Sequence, residues 1–399
     1  MTAAKTVCLL SRSAIADDPR VRRQGNAFHA AGWQVRAFGL AGARSDRPVW
    51  MAAEAEEAPR VDRGGLYRLL RRTRLLPVFL SANLCPALAH RAVWSLPGLR
   101  SIYRRAAALQ ADIWLANDWD SLTVAVRLAE ERGGKVVYDS HEFATRQQEN
   151  SRRWRLLFRP MVRAAEAAFI RKAALVTTVS DGIAGELQAL YGIERPLVIR
   201  SMPSYREIPF RATGEAVRVL YHGNVGPTRK LEQMIDSVPL WRPQFCLTIR
   251  GPGEAAYIAR LQGRIRALGL EDRVTLTPAV PMTALVEKAA AFDVGLFVFG
   301  KESPQKEYVL PNKFFEYVMA GLALCVSDLP EMTRLIRQYD LGVPVDGFAP
   351  EAIAEAINSL TPQAIDGYKR NALAAARTLN WDCESRKLIA PCEGLAAHG

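Results

Sequence analysis

Residues 309–321, VLPNKFFEYVMAG, bring together within one predicted helix start the side chains that a phosphorylated ligand needs. Pro311 suits the first helical turn, which places Asn312 and Lys313 at the positively polarised end of the helix. Free backbone amides and the Lys313 ammonium can neutralise phosphate there, and the carboxylate of Glu316, one turn further on, can accept both hydroxyls of a ribose. A glutamate in the first turn also stabilises any helix, so this alternative stays open.

A second candidate phosphate site is the segment YHGNVGPTRK at 221–230, where an apolar run ends and a helix is predicted to begin near Lys230. Gly223 and Asn224 let the backbone come close to a ligand, and amides at a helix start attract anions. Arg229 and Lys230 add two full positive charges at the same place. Together these features suit a diphosphate, although an ordinary turn with a solvated basic pair explains them equally well.

The segment RGPGE at 250–254 ends the next apolar run. Gly251 and Gly253 stand on either side of a proline, and a loop of this kind could cover a flat nucleobase because glycine leaves room for a close approach. A tight turn that contacts no ligand is the alternative, and the residues alone favour neither interpretation.

Polar residues in the first half of the chain also follow directly on apolar runs. Asp17 and Arg20 lie between the first run and the first predicted helix, Asp118 follows a later run, and His141 and Glu142 follow the next one. A histidine immediately after a strand favours a place at a ligand site over a purely structural one. Glu142 is either a base that serves an acceptor or a surface carboxylate, and both interpretations stay open.

The elements that must position these residues form two series of strands alternating with helices. Short apolar runs rich in β-branched residues are predicted to be buried parallel strands, with helices such as 21–31 and 161–173 between them. Such alternation indicates a doubly wound parallel sheet, and here it occurs twice. The predicted strands are 6–10, 34–40, 112–116, 135–139, 175–179 and 197–200, then 217–222, 245–250, 274–277, 294–299, 323–327 and 342–345.

The two series predict an α/β protein of two Rossmann-like domains, for which 399 residues are sufficient. Ligands of such sheets bind at the carboxyl ends of the strands, so the facing loops are expected to form one cleft. The expected parts are a first domain at 1–202, a polar, proline-broken linker at 203–216, a second domain at 217–380, and a C-terminal helix or tail at 381–399 that can return to the first domain.

The positive charge is concentrated in the first half of the chain. Residues 1–200 hold 31 Lys and Arg against 19 Asp and Glu, whereas residues 201–399 hold 22 of each kind. In the segments 63–108 and 152–163, arginine is interleaved with leucine and aromatic residues. This pattern is typical of helices that lie on an anionic membrane, of core-packed helices with a solvated basic face, or of a surface that binds nucleic acid.

Other features restrict the class of protein. No motif for binding nucleic acid is present, no run of 18 apolar residues could span a membrane, and the six scattered cysteines lack the spacing of a zinc site. We therefore expect a cytoplasmic protein, peripheral at most on the inner face of the plasma membrane, without metal and without a nucleic-acid partner.

The second series is similar to the donor-binding domain of the retaining glycosyltransferases of family 4, which have the GT-B fold. The run LPNKFFEYVMAGLALCVSDLPE resembles a distinctive version of that family's signature, and the segments YHGN…RKLEQMI and IRGPGE occur in the expected order and spacing. The likeness covers essentially the whole chain, most densely from 217 to 346. It implies a hexosyltransferase for polysaccharide or glycoconjugate synthesis that uses a nucleoside-diphosphate sugar, needs no metal or other cofactor, and serves a glycan, lipid-linked or small-molecule acceptor with retention.

The resemblance also implies roles for individual residues. The catalytic candidates are His141, near the donor sugar, and Arg229 and Lys230, which would stabilise the departing nucleoside diphosphate. Many members carry a second glutamate eight residues before the one that binds ribose, where this chain has Tyr308, so the contacts to the donor sugar are less well defined. The implied donor-binding residues are Gly223, Asn224, Gly251, Gly253, Asn312, Lys313 and Glu316, and the implied acceptor-side residues are Asp17, Arg20, Asp118 and Glu142.

Two other functions stay open at this point. A nucleotide-sugar 2-epimerase of the same fold would need several carboxylates and histidines around the sugar, and the chain has only five histidines. A basic two-domain scaffold that binds membrane or nucleic acid would show salt-sensitive binding without any dependence on nucleotide.

Overall fold

A computed structural model of the protein describes residues 4–40, 45–51, 89–147, 149, 151–300 and 307–397. The chain divides into two compact units, Met1–Arg200 with Ser385–Gly399, and Ser201–Glu384. Each unit contains one six-stranded sheet in which all described strand pairs are parallel. The predicted α/β fold of two Rossmann-like sheets is therefore confirmed, whereas the predicted domain limits stay a prediction.

The sheet of the first unit has the strand order β2-β1-β3-β4-β5-β6. Strand β3 is buried along its whole length, because helices cover a parallel sheet on both faces. The elements of this unit are β1 (Thr6–Leu10), α1 (Pro19–Ala30), β2 (Gln34–Phe38), α2 (Ala89–Val93), α3 (Leu99–Ala106), β3 (Ile113–Asn117), α4 (Trp119–Arg132), β4 (Lys135–Ser140), a π-helical turn at Trp154–Phe158, α5 (Arg159–Phe169), β5 (Leu175–Thr178), α6 (Asp181–Tyr191) and β6 (Leu197–Val198).

The sheet of the second unit has the order β12-β11-β10-β7-β8-β9. Its elements are β7 (Val217–His222), α7 (Leu231–Ser237), β8 (Phe245–Arg250), α8 (Ala255–Ala267), β9 (Val274–Thr277), α9 (Leu285–Ala289), β10 (Val294–Phe297), α10 (Asn312–Met319), β11 (Ala323–Ser327), α11 (Pro330–Tyr339), β12 (Gly342–Val345), α12 (Pro350–Ser359) and α13 (Pro362–Ala376). The last helix, α14 (Trp381–Ala397), begins in this unit and ends among the residues of the first.

Each sheet has one point at which the strand order reverses, between β1 and β3 in the first unit and between β7 and β10 in the second. In open parallel sheets, ligands bind outside the carboxyl ends of the strands at such a switch point. The loops after β1 and β3, and those after β7 and β10, are thus the places where the topology favours a site within each unit.

The predicted strands agree with the observed ones to within two residues at either end. The predicted helix at 161–173 begins earlier, at Arg159, and ends at Phe169, after which Ile170–Lys172 form a 3₁₀ turn. Residues 201–214 form neither helix nor strand. The Arg211 guanidinium in that stretch lies 2.6 Å from the buried Asp293 carboxylate, which fixes much of the predicted linker to the second unit.

Candidate active site

The loops that follow β7 and β8 lie backbone against backbone. The amide of Val225 donates to the carbonyl of Pro252 at 2.8 Å. A Cβ on Gly251 would lie 1.7 Å from the carbonyl oxygen of Gly223, and a Cβ on Gly253 would lie 2.6 Å from that of Val225. Only glycine fits such contacts, so packing alone accounts for Gly251 and Gly253. Their proposed place beside a nucleobase stays a prediction.

Lys313 reaches across from the start of α10 to the loop after β7. A Cβ on Gly223, whose φ is 133°, would lie 2.9 Å from the Lys313 ammonium nitrogen, so glycine allows the ammonium to approach this backbone. The same nitrogen lies 4.3 Å from the ring centroid of Tyr221 and 5.6 Å from that of Phe297, within the range of cation–π attraction. The structure thus brings together two residues that are far apart in the sequence.

The electrostatic environment of Lys313 is unusual for a lysine. Burial, followed by the positive charge of Arg229, lowers the pKa of Lys313 to about 7, while Glu316 opposes that shift. Arg229 itself is exposed, at the end of the 3₁₀ turn Pro227–Arg229. Two cations close enough to repel each other, with the Glu316 carboxylate nearby, form a site that an anion would stabilise.

Glu316 has a partner that the sequence did not reveal. Its Oε2 lies 2.8 Å from Nε2 of His222, the last residue of β7 and almost fully buried. The hydroxyl of Tyr317 accepts a hydrogen bond from the His222 amide and donates one to the carbonyl of Leu220, both at 3.1 Å. The imidazole therefore lies on a fixed strand end and beside the carboxylate that would receive a ribose.

Other predicted donor-side residues have different surroundings. Lys230, whose φ of 56° is left-handed, directs its ammonium to the ring of Phe348, 4.1 Å from the centroid. Asn224 is exposed, and its carbonyl accepts a hydrogen bond from the Tyr221 hydroxyl at 2.9 Å. Asn312 is the first residue of α10, and Pro311 precedes the helix instead of lying in its first turn. Of the predicted cationic pair, Arg229 is the member whose charge acts on Lys313.

In the first unit, His141 lies between two aspartates at the carboxyl end of the sheet. Its Nε2 is 3.2 Å from Oδ2 of Asp118, and its Nδ1 is 3.8 Å from Oδ2 of Asp139. Asp139 is fully buried and receives hydrogen bonds from Arg20 at 2.5 and 2.6 Å and from Thr177 at 2.6 Å. Sequence reasoning placed Arg20 at the acceptor side, and the structure shows its guanidinium buried against Asp139.

Asp118 has a strained backbone at the switch point of the first sheet. Its φ of 64° and ψ of 164° lie outside the regions that non-glycine residues favour, and its amide donates to the carbonyl of Asp139 at 3.0 Å. Such a conformation costs about 1–3 kcal/mol and persists only where the surrounding structure imposes it. Strain of this kind is concentrated at functional sites, and the place of Asp118 on the acceptor side stays a prediction.

The remaining acceptor-side candidates lie outside this cluster of charged contacts. Asp17 accepts a hydrogen bond from the amide of Ser45 at 2.8 Å. Glu142 is exposed and accepts a hydrogen bond from the side chain of Gln147. The structure therefore groups His141 with Asp118, Asp139 and Arg20, whereas Asp17 has a separate hydrogen-bond partner. Glu142 is hydrogen-bonded elsewhere, but its charge contributes, in addition to burial, to the raised pKa of Asp118.

Burial disfavours a charged imidazole, but the carboxylates of Asp118 and Asp139 outweigh it and raise the pKa of His141. Burial also raises the pKa of Asp118, with the charged His141 opposing this. The pair should thus retain a proton to higher pH than either side chain would alone.

We expect Asp118→Asn to lower the pKa of His141, because burial remains while one favourable charge is lost. Histidine NMR signals followed against pH measure this change, with the exposed Asp46→Asn as the control; an unchanged His141 titration in Asp118→Asn would contradict it.

Among the described residues, no three His, Cys, Asp or Glu side chains lie close enough together to hold a metal ion. No helix in the same part of the chain is long and apolar enough to cross a membrane.

Comparison with known proteins assigns both halves of the chain to related families. Residues 20–200 match the family described as Glycosyltransferase Family 4, and residues 216–362 match the family described as Glycosyl transferases group 1. A curated relative, the putative teichuronic acid biosynthesis glycosyltransferase TuaH of Bacillus subtilis (strain 168), is 24% identical over 242 residues. That match covers 58% of this chain and 59% of the relative, little more than half of each.

Solved structures with the same fold cover nearly the whole chain. A sucrose-phosphate synthase from Thermosynechococcus elongatus superposes with a TM-score of 0.71 at 18% identity, covering 99% of this chain and 100% of that one. Anabaena Alr3699/HepE in complex with UDP and glucose gives 0.70 at 15% identity, covering 98% and 100%. Two parallel sheets of this kind, together with the matched families, define a glycosyltransferase of the GT-B class. The chain belongs to the group related to glycosyltransferase family 4, as its motifs predict.

Proposed function

We propose that this protein transfers a sugar from a nucleoside-diphosphate sugar to a glycan or lipid-linked acceptor, with retention and without a metal ion. The observation that carries the proposal is the approach of the Lys313 ammonium to Gly223, with Glu316 one helical turn further on and Arg229 close enough to lower the pKa of Lys313. A diphosphate would relieve the repulsion between the two cations, and the Glu316 carboxylate, which faces His222, could in addition accept hydrogen bonds from a ribose. Both parts of a nucleoside diphosphate therefore suit this site.

In the proposed reaction the bond between the anomeric carbon and the phosphate oxygen breaks. The acceptor hydroxyl forms the new glycosidic bond on the same face of the sugar and gives its proton to the departing phosphate. Lys313 and Arg229 stabilise the charge that develops on the diphosphate, and such preorganised cations act most strongly in the transition state. Two cations and the start of a helix can perform this task, so the proposal includes no divalent metal. Addition of a chelator should leave turnover unchanged.

The proposed acceptor is an anionic cell-surface polysaccharide or its lipid-linked precursor. The support is the name of the relative TuaH, which places that protein in teichuronic acid biosynthesis, and the positive charge of residues 1–200. We propose that Asp118 serves this side of the reaction and that the neighbouring His141 contributes to catalysis near the donor sugar. The uneven charge also supports peripheral attachment to an anionic membrane, which would give the protein access to a lipid-linked acceptor.

A nucleotide screen tests the donor site. We expect one of UDP, GDP, ADP, TDP or CMP to raise the melting temperature of the protein, since a ligand that binds only the native state stabilises it by mass action. UDP is the first probe. Glu316→Gln should weaken the response about 5- to 150-fold in apparent affinity, as expected when a charged hydrogen-bonding partner worth ~1–3 kcal/mol is lost.

Glu351→Gln is the matched control, because Glu351 is exposed and also lies in the first turn of a helix of the same unit. Equal nucleotide responses of Glu316→Gln and the unmodified protein would contradict the assigned site. The matched families favour transfer over the alternative 2-epimerase. Incubation with a nucleotide sugar and no acceptor should therefore return the sugar without isomerisation.

A further inference from the structure

The first unit carries exposed arginines that have no carboxylate partner in the described part of the chain. Arg91, Arg100 and Arg104 line a surface cavity of about 740 Å³ together with Arg127, Trp94 and Tyr103. Arg127 is different, because its guanidinium is paired with Glu131 at 2.8 Å and lies 4.9 Å from the Tyr103 ring centroid. The other three arginines, Arg91, Arg100 and Arg104, are exposed at the surface.

A second group of arginines lies on a neighbouring element. Arg152, Arg153 and Arg155 are exposed around the π-helical turn Trp154–Phe158, also without a carboxylate partner among the described residues. This turn leads into α5, and α5 packs against α2, which carries Arg91. We refer to the six arginines, Arg91, Arg100, Arg104, Arg152, Arg153 and Arg155, as the arginine face.

An exposed leucine accompanies these charges. Leu156 lies in the same turn, next to Arg155 in the sequence, and is 72% exposed, whereas the rings of Trp154 and Phe158 stack on each other at 5.7 Å. A large apolar side chain exposed to water in an arginine-rich turn gains nothing from a soluble polyanion. At a lipid interface, the leucine enters the acyl boundary while the arginines meet the phosphates.

We propose that the arginine face and Leu156 dock the first unit on an anionic lipid surface. This inference deepens the peripheral attachment included in the proposed function, because it names the surface and the lipid class. Unpaired cations collect around the cavity and the turn, and this charge is complementary to phosphatidylglycerol-type headgroups. Residues 63–88 of the predicted basic segment lie outside the described residues, and the proposal does not use them.

Sedimentation of the full-length protein with vesicles tests the proposal. Vesicles of phosphatidylcholine alone are compared with vesicles containing about one third phosphatidylglycerol, at about 0.1 M salt. We expect the protein to pellet with the anionic vesicles only. Arg91→Glu/Arg104→Glu should lower the partition coefficient at least about 25-fold, at about fivefold for each lost arginine. Leu156→Ser should lower it about tenfold.

Arg266→Glu/Arg337→Glu is the matched control, since both arginines are exposed in the second unit and the change in net charge is identical. We expect this control to bind within about threefold of the unmodified protein. The proposal would be overturned by an equal loss of vesicle binding in both double variants, by equal pelleting with neutral and anionic vesicles, or by unchanged vesicle binding of Leu156→Ser. Binding to soluble polygalacturonate without binding to vesicles would overturn it as well.

The nucleotide response separates this proposal from the proposed function. The vesicle-binding variants should keep the UDP-induced rise in melting temperature of the unmodified protein, because none of them changes the donor site. Absence of any nucleotide response, with vesicle binding as expected, would count against the transferase proposal and leave the docking surface intact.

Discussion

Replacement of Lys313 by methionine is expected to lower turnover about 10²- to 10³-fold, the loss typical of removing one preorganised group that stabilises transition-state charge. Methionine keeps the apolar contact with the ring of Tyr221 but has no charge to offer a departing diphosphate. The assay is release of the nucleoside diphosphate from the nucleotide sugar that gives the largest thermal shift. Lys288→Met is the control, because Lys288 is an exposed lysine of the same unit. Turnover within about threefold of the unmodified protein would contradict a catalytic role for Lys313.

The lowered pKa of Lys313 should make the proposed nucleotide binding depend on pH. With a pKa of about 7 in the free protein, the amine is largely neutral at pH 8, and a bound diphosphate would restore its proton. UDP binding should therefore take up a proton above pH 7, and affinity should fall by up to about tenfold per pH unit between pH 7 and pH 9. Titration calorimetry in buffers of different ionisation enthalpy measures this uptake. Lys313→Met should abolish it.

The same residue should reduce stability near neutral pH. Its folded-state pKa lies below the ordinary value of 10.5, so the unfolded chain binds more protons between about pH 7 and pH 10.5. The destabilisation by Lys313 is therefore greatest below about pH 7 and disappears as the pH rises toward 10.5. Lys313→Met should consequently raise the melting temperature at pH 7, an increase in stability obtained at the expense of function. A lower melting temperature for the variant would mean that the ammonium stabilises the fold.

The second large effect concerns the buried ion pair of the first unit. Asp139→Ala is expected to lower the free energy of unfolding by about 3–5 kcal/mol, because the Arg20 guanidinium would stay buried without its carboxylate. Urea-induced unfolding measures the loss. Glu130→Ala is the comparison, since Glu130 and Lys172 form an exposed ion pair in the same unit and should contribute less than about 1 kcal/mol. Similar losses in the two variants would contradict the importance given to burial.

The sign of the pH dependence follows from the pKa of Asp139. Burial alone would raise this pKa, but the charge and hydrogen bonds of Arg20, together with smaller contributions, lower it below its ordinary value. A carboxylate of this kind stabilises the fold above its unfolded-state pKa of about 3.9, and the contribution is lost as the pH falls through the folded-state pKa. The difference between the unmodified protein and Asp139→Ala should thus shrink below about pH 4.

The sequence predicted the fold because its local patterns agree with one another. Apolar runs such as 217–222 and 245–250 are too short for helices and are each followed by glycine, so they indicate strands, and strand–helix alternation leaves few topologies. The shared edge of parallel strands then explains why Gly223 and Lys313 lie together although they are distant in the chain. The sequence therefore indicated both residues as candidates for one ligand site, although their direct contact was not predicted.

Other contacts depend on tertiary packing that no local pattern contains. Arg20 and Asp139 meet because β1, β3 and β4 are neighbours in the sheet, and neither residue carries a sign of the other in the sequence. His222 was not predicted as the partner of Glu316, because the last residue of an apolar strand resembles a core residue. The signal that singled out His141, a histidine at a strand end, would also have found His222. No sequence pattern predicted the strained backbone of Asp118. Its neighbour Asn117 is equally polar, so nothing in the local sequence distinguishes the two positions.

The contact between the loops after β7 and β8 has a consequence for changing the donor. Since the backbones touch at Gly223 and Gly251, with no space even for a methyl group, neither loop can be reshaped while the other stays in place. Grafting segment 251–253 alone from another transferase would bring its backbone into collision with the unchanged loop at 223–226. If these loops hold the nucleotide as proposed, exchange of nucleotide preference should therefore require both segments, 223–226 and 251–253, to be transplanted from the same parent.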